Sequence, residues 1–229
     1  MRMKTSGLLF AVSAAASLTF LLARPLTPSD WPVIFKVLSI FLLAVLGLPV
    51  DGLLGAALAL SSVGDSLLGI RRIGNLDGES LFLLGLVSFL IAHLVYLALF
   101  RKYRGPIWWK PNWARVCGVL AILVVLASVL GVLHRSLGSM LIPVVVYSLV
   151  LACMGISAIL ADLGTPLAGF GALLFIASDA MIAISKFRGS FLGNEQLIWI
   201  TYYSAQLLIL RGVERRYICN QSIPQSQSL

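Results

Sequence analysis

Charge is what this sequence has least of: Asp, Glu, Lys and Arg make up 11% of 229 residues, while 59% are hydrophobic. An ordinary soluble domain carries about 25% charged and roughly 45–50% apolar residues. That balance excludes a water-soluble fold, because its surface could not be covered. Histidine is scarce too. With His93 and His134 alone, a His-ligated zinc centre lacks ligands, and no metal or other cofactor is expected. Cys117, Cys153 and Cys219 are odd in number and widely spaced, which excludes a disulfide framework or a metal knuckle. No Gly-x-Ser-x-Gly elbow is present, and Ser178 beside Asp179 is too common a pair to stand for a nucleophilic triad.

What the chain does have is long apolar runs, at roughly 6–23, 32–49, 52–69, 80–100, 113–134, 138–160, 166–186 and 195–212, each bounded by charge, Pro or Gly. Lipid offers no partner for backbone N–H and C=O groups, so each run must be helical. The fold expected is an all-α polytopic membrane bundle of about eight helices, one domain over 1–216 with a disordered polar tail over 217–229. An apolar stretch behind Arg2 and Lys4 could pass for a secretory signal; an uncleaved first helix is expected, since removing it would spoil the charge pattern. Pro32, Pro111 and Pro166 suit helix first turns, and Pro143 suits a kink. Small residues (Gly52, Gly55, Ala56, Ala59 and Gly169, Gly171, Ala172) mark the third and seventh helices as interior. The fifth, almost without polar side chains after Arg115, faces lipid. Trp108, Trp109 and Trp113 belong to an interfacial aromatic belt.

The formal charge of +8 does not point to nucleic acid, because the Lys and Arg residues lie mostly between the runs, where they set topology. With the N-terminus inside, the inner side holds Arg2, Lys4, Arg101, Lys102, Arg104, Lys110, Arg115, Arg211, Arg215 and Arg216. The outer side holds Arg24, Arg71, Arg72, Arg135, Lys186 and Arg188. Ten against six favours both termini inside. Membrane lipids are the expected partners, and no oligomeric state is indicated.

A charged group near the bilayer centre costs at least about 2.5–3.5 kcal/mol on insertion scales. Lys36, Asp65, His93, Asp179 and Lys186 therefore stand out. At about 1.5 Å per residue, with direction reversed at each helix, Lys36, Asp65, Asp179, Tyr203 and Gln206 fall in the same outer half of the bilayer, and His93 and Tyr96 lie deeper. Ser61, Ser62 and Asp65 share a helix face, as do His93 with Tyr96 and Tyr202 or Tyr203 with Gln206. Depth agreement across separate helices predicts one polar pocket open to one face. The plain alternatives are snorkelling for the lysines, hydrogen-bonded packing for His93, and solvated capping for Asp162 and Glu195. A transporter with a buried polar path is the competing reading, but no inverted repeat or paired broken helices accompany it.

The segments SSVGDSLL, IAHLVYLALF, GALLFIASDAMIA and TYYSAQLLIL, in this order, resemble the YhhN-type lysoplasmalogenase family of multi-pass membrane proteins, from about Lys36 to the eighth helix. The resemblance implies eight spans and a hydrolase that cleaves the vinyl-ether bond of a lysophospholipid, releasing fatty aldehyde and a glycerophospho head group. It implies Asp65, Asp179 and His93 as catalytic residues, with Tyr96, Tyr203, Gln206, Ser178 and Lys36 meeting substrate. The family's usual proline near that lysine is not present, which bears on local helix shape. A bacterial inner membrane is the expected location. Vinyl-ether hydrolysis needs an acid to protonate carbon and a base to stabilise the resulting oxocarbenium ion and activate water, the same division of labour as in glycosidases.

Overall fold

A computed structural model of the chain describes residues 2–27, 29–70, 75–105 and 112–221, with side chains from residue 6 onward. Arg71, Arg72, Trp108, Trp109, Lys110, Pro111 and the tail from 222 lie outside the described residues, as do the side chains of Arg2 and Lys4. Eight long helices follow one another: α1 (Arg2–Ala23), α2 (Val33–Gly47), α3 (Gly52–Gly69), α4 (Gly78–Lys102), α5 (Trp113–Leu133), α6 (Leu141–Leu160), α7 (Leu167–Arg188) and α8 (Asn194–Gln221). Six of these, all but α2 and α8, are long and apolar enough to cross a membrane. α2 is apolar but has fifteen residues. α8 begins as an apolar span and continues past Arg211 as a charged helix to Gln221, into the segment expected to be a tail. Among the described residues there is no strand; one isolated bridge, Arg104 with Ala161, ties the α4–α5 and α6–α7 connections together.

Local chemistry sets the helix ends. Asp51, Asp77 and Asn112 each accept a hydrogen bond from a backbone N–H of the following turn, at 2.9, 2.8 and 3.0 Å, satisfying donors that a helix start leaves orphaned. α7 stops at Gly189, whose φ of +111° suits a residue without Cβ.

α1 packs on α2, α2 on α3 and α3 on α4; α4 passes to α6, α6 to α7, and α7 to α8, which returns to α2 and α1. The result is a ring of seven helices with α5 against the outside of α6 and α7. Lipid is as apolar as a leucine side chain, so hydrophobicity alone does not press these helices together, and close packing and polar contacts must do it. A Cβ on Gly171 would lie 2.7 Å from the Ala205 carbonyl oxygen of α8. Ser62 donates to the Val37 carbonyl, Ser13 to Ser39 and Ser88 to Leu60, at 2.8–3.0 Å, each joining neighbouring helices. The small residues of α3 do less than their pattern promises: Gly52 and Ala56 are exposed, and Gly55 meets Leu48 within its own hairpin. α5 buries little more than Ile122 and Leu133, as its uniform hydropathy requires of a lipid-facing helix.

Candidate active site

Asp65 lies near the C-terminal end of α3, 1% exposed. The Lys36 ammonium of α2 stands 3.0 Å from its Oδ1, and the Tyr202 hydroxyl of α8 donates to Oδ2 at 2.7 Å. Behind Tyr202, Gln206 donates through Nε2 to the Tyr202 oxygen at 3.3 Å and accepts from the Tyr96 hydroxyl through Oε1 at 2.6 Å. Every donor in this chain points toward Asp65, so each bond polarises the next. Lys36 also sits over the rings of Trp199 and Tyr202, 5.6 and 6.0 Å from their centroids, which helps hold a cation below the headgroups.

Asp179 projects from the middle of α7 and accepts a hydrogen bond from the Tyr147 hydroxyl of α6. Among the described residues it has no ion-pair partner, unlike Asp65. The Tyr147 ring meets His93 edge-on at 5.3 Å. His93 is fully buried in an aromatic box, edge-on to Phe175 at 4.9 Å and stacked on Phe89 at 6.4 Å. Neither ring nitrogen has a hydrogen-bond partner among the described residues.

Both carboxylates line one chamber of about 440 Å³ at the end of the bundle where α1, α3 and α7 finish and α2, α4 and α8 begin, a volume in the range of small-molecule sites. Its mouth carries Arg24, Lys186, Asn194 and Glu195. Arg24 is paired with Glu195 at 3.2 Å, and Lys186 lies 4.8 Å from the centre of the Phe82 ring. A second, narrower cavity of about 70 Å³, almost wholly apolar, runs between α4, α5, α6 and α7. Asp179 belongs to both and marks their junction.

Of the residues singled out from the sequence, Lys36, Asp65 and Asp179 meet in the chamber. Tyr96 and Gln206 stand behind it as the hydrogen-bonded support of Tyr202. The other expected substrate contacts, Ser178 and Tyr203, do not line the chamber either, nor does His93. Ser178 is fully buried and donates to the Ile198 carbonyl at 3.2 Å, because helical geometry turns it from Asp179 toward α8. The Tyr203 hydroxyl lies 3.0 Å from Ser13, leaving its neighbour Tyr202 on the chamber side. Tyr147 was not foreseen; its one signal was a phenol inside the apolar run IPVVVYSLVL.

Residues 31–213 match the YhhN family. The chain is 40% identical over 162 residues to a lysoplasmalogenase of Mycobacterium tuberculosis, covering 68% of this chain and 58% of that protein. It is 33% identical over 160 residues to the lysoplasmalogenase TMEM86B of Homo sapiens, covering 69% of this chain and 61% of that protein. With the corresponding protein of Mus musculus it shares 33% identity over 210 residues, 88% of this chain and 84% of that one. The chain thus spans under two thirds of the length of the mycobacterial and human relatives. No solved structure matches.

Proposed function

The chain belongs to the YhhN family, and on that footing we propose that it is a lysoplasmalogenase, hydrolysing the vinyl-ether bond of a lysophospholipid by carboxylate acid–base chemistry. The observation that carries this reading is the placement of Asp65 and Asp179, from separate helices, on the wall of one chamber, with Asp179 where polar and apolar cavities join.

Protonated Asp179 gives its proton to the β-carbon of the vinyl ether, and the π pair becomes the new C–H bond. An oxocarbenium ion is left at the α-carbon. Asp65, anionic beside Lys36, faces that cation and takes a proton from the attacking water, so that a hemiacetal forms. Its collapse breaks the carbon–oxygen bond: the hemiacetal hydroxyl loses its proton, the glycerol oxygen gains one, and aldehyde and alcohol leave. The net reaction consumes one water. A positioned acid and base contribute about 10²–10⁴-fold each in such steps.

Tyr147 steadies the Asp179 carboxylate once its proton has gone, and His93 acts through Tyr147 as a positioning residue, since its ring touches that phenol and lines neither cavity. With Lys36 engaged by Asp65, Lys186 at the mouth is the cation placed for the phosphate. The orientation with both termini inside sets the chamber toward the outer face of a bacterial cell membrane. Purified protein supplied with a lysoplasmalogen in detergent tests the reading. Free fatty aldehyde is expected, and lipid flux in sealed vesicles without aldehyde would replace the hydrolase with a transporter.

A further inference from the structure

The apolar cavity is built from helical stripes. α5 contributes Ile122, Val125, Leu126 and Val129, spaced i, i+3, i+4 and i+7 on one face, whereas Val124 on the opposite face is 63% exposed. α6 and α7 add stripes of the same spacing that include Ser148 and Ala183. The Tyr147 hydroxyl is committed to Asp179, so apart from Ser148 the slot presents hydrocarbon except at its junction with the chamber. Leu68, Phe82, Phe89, Asp179 and Ile182 are the five side chains common to both cavities.

We infer that this slot is the subsite for the hydrocarbon chain of the substrate lipid, holding the carbons next to the vinyl ether, with α5 as its outer wall. The inference rests on the function proposed above and goes further, because it assigns the two ends of the substrate to two cavities. A lysolipid has a charged head and an apolar chain joined at the bond to be cut. Here a chamber fringed with Arg24, Lys36 and Lys186 meets an apolar slot at Asp179, the carboxylic acid proposed to protonate that bond. A chain laid in the chamber would desolvate those cations; a head group in the slot would find no polar partner beyond Ser148 and the Tyr147–Asp179 pair. α5, outside the ring and packed chiefly against α6 and α7, is the element whose side chains set how wide a chain is admitted.

Val129→Trp and Ser148→Phe fill the slot without touching either carboxylate, and Val124→Trp places the same bulk on the lipid side. Aldehyde release is compared for a short-chain, water-soluble vinyl ether of glycerophosphocholine and for a long-chain lysoplasmalogen. The slot-filling variants are expected to lower the long-to-short ratio of kcat/KM at least about tenfold, the scale on which a pocket rejects excess hydrocarbon. Their short-chain rate reports that they fold, and Val124→Trp should leave the ratio unchanged. In parallel, a saturated, non-cleavable analogue with a diazirine on the fourth chain carbon is photolysed on the wild-type protein, and label is expected on the 122–129 stripe of α5 or on α6. An active wild type whose ratio is insensitive to Val129→Trp and Ser148→Phe overturns the slot, as does label that reaches no residue lining the slot alone. If the wild type releases no aldehyde from either substrate, the proposed reaction fails, and the photolabel decides the slot alone: label on residues that line only the slot supports it and label that reaches none of them removes it.

Discussion

The protein builds the same trio of a buried aspartate, a lysine and a tyrosine twice, at opposite ends of the bundle. At one end Asp51, which caps α3, accepts from Lys102 at 2.7 Å, from Tyr103 at 2.9 Å and from the Leu53 N–H at 2.9 Å. At the other end Asp65, near the close of the same helix, has Lys36 at 3.0 Å and Tyr202 at 2.7 Å. The donors are alike; the surroundings are not. None of the cavities described above reaches Asp51, and Lys102 is 58% exposed, whereas Asp65 fronts the chamber and Lys36 is 16% exposed. One trio clamps the α2–α3 connection to the end of α4. The other has the same parts with a space in front of them, and that space is what the proposed chemistry requires.

Substitutions made at both ends test that contrast. The largest difference is expected between Asp179→Asn or Asp65→Asn, which should cut kcat for aldehyde release by about 10³-fold, and Asp51→Asn, which should leave kcat of the folded protein unchanged. Equal losses in all three would erase the distinction. Next comes Lys36→Met against Lys102→Met. Stranding the buried Asp65 charge should cost about 3–5 kcal/mol, while removing a mostly exposed lysine costs about 1 kcal/mol or less; melting in detergent ranks the two. A smaller effect separates Tyr202→Phe, expected to lower kcat about tenfold through a lost charge-assisted hydrogen bond, from Tyr103→Phe, expected to lower only the melting temperature.

The smallest effect is a pH dependence at the Asp51 end. Burial works against the Asp51 charge, yet the hydrogen bonds from Lys102, Tyr103 and Leu53 outweigh it and hold the carboxyl below its ordinary value of 3.8. Tyr103 is pushed the other way, up to about 12, by burial first and then by Asp51. A carboxyl lowered on folding stabilises above its unfolded value, and that contribution is lost as pH falls through its folded value. The melting temperature of the wild type should therefore exceed that of Asp51→Asn most clearly above pH 5 and converge with it below 3.8. A gap that widened in acid would reverse the assignment.

The helices were legible because lipid imposes one rule on every span, and hydropathy records it. Where that rule stops, so does the reading. α8 outlasts its apolar run because a helix entering water loses hydrophobicity without losing backbone bonds. Asp65, Asp179 and Lys36 could be found because a charge in an apolar run is conspicuous and helix reversal fixes its depth. Direction around the helix was harder. Tyr202 and Tyr203 are adjacent and about 100° apart, so the choice between them depends on which helices flank α8, and only the assembled bundle supplies that. Tyr147 had no polar companion one turn away, and Glu195 looked like a solvated cap and Arg24 like one more topology-setting charge until the chamber mouth brought them together.

The ion pair between Lys36 and Asp65 joins consecutive helices, α2 and α3, and this bears on biosynthesis. A nascent hairpin entering the bilayer can carry both side chains already matched, so neither must traverse hydrocarbon as a lone ion. Tyr202 follows on α8, made after α3 to α7, so the aspartate gains its phenol donor only once that later helix has joined the bundle.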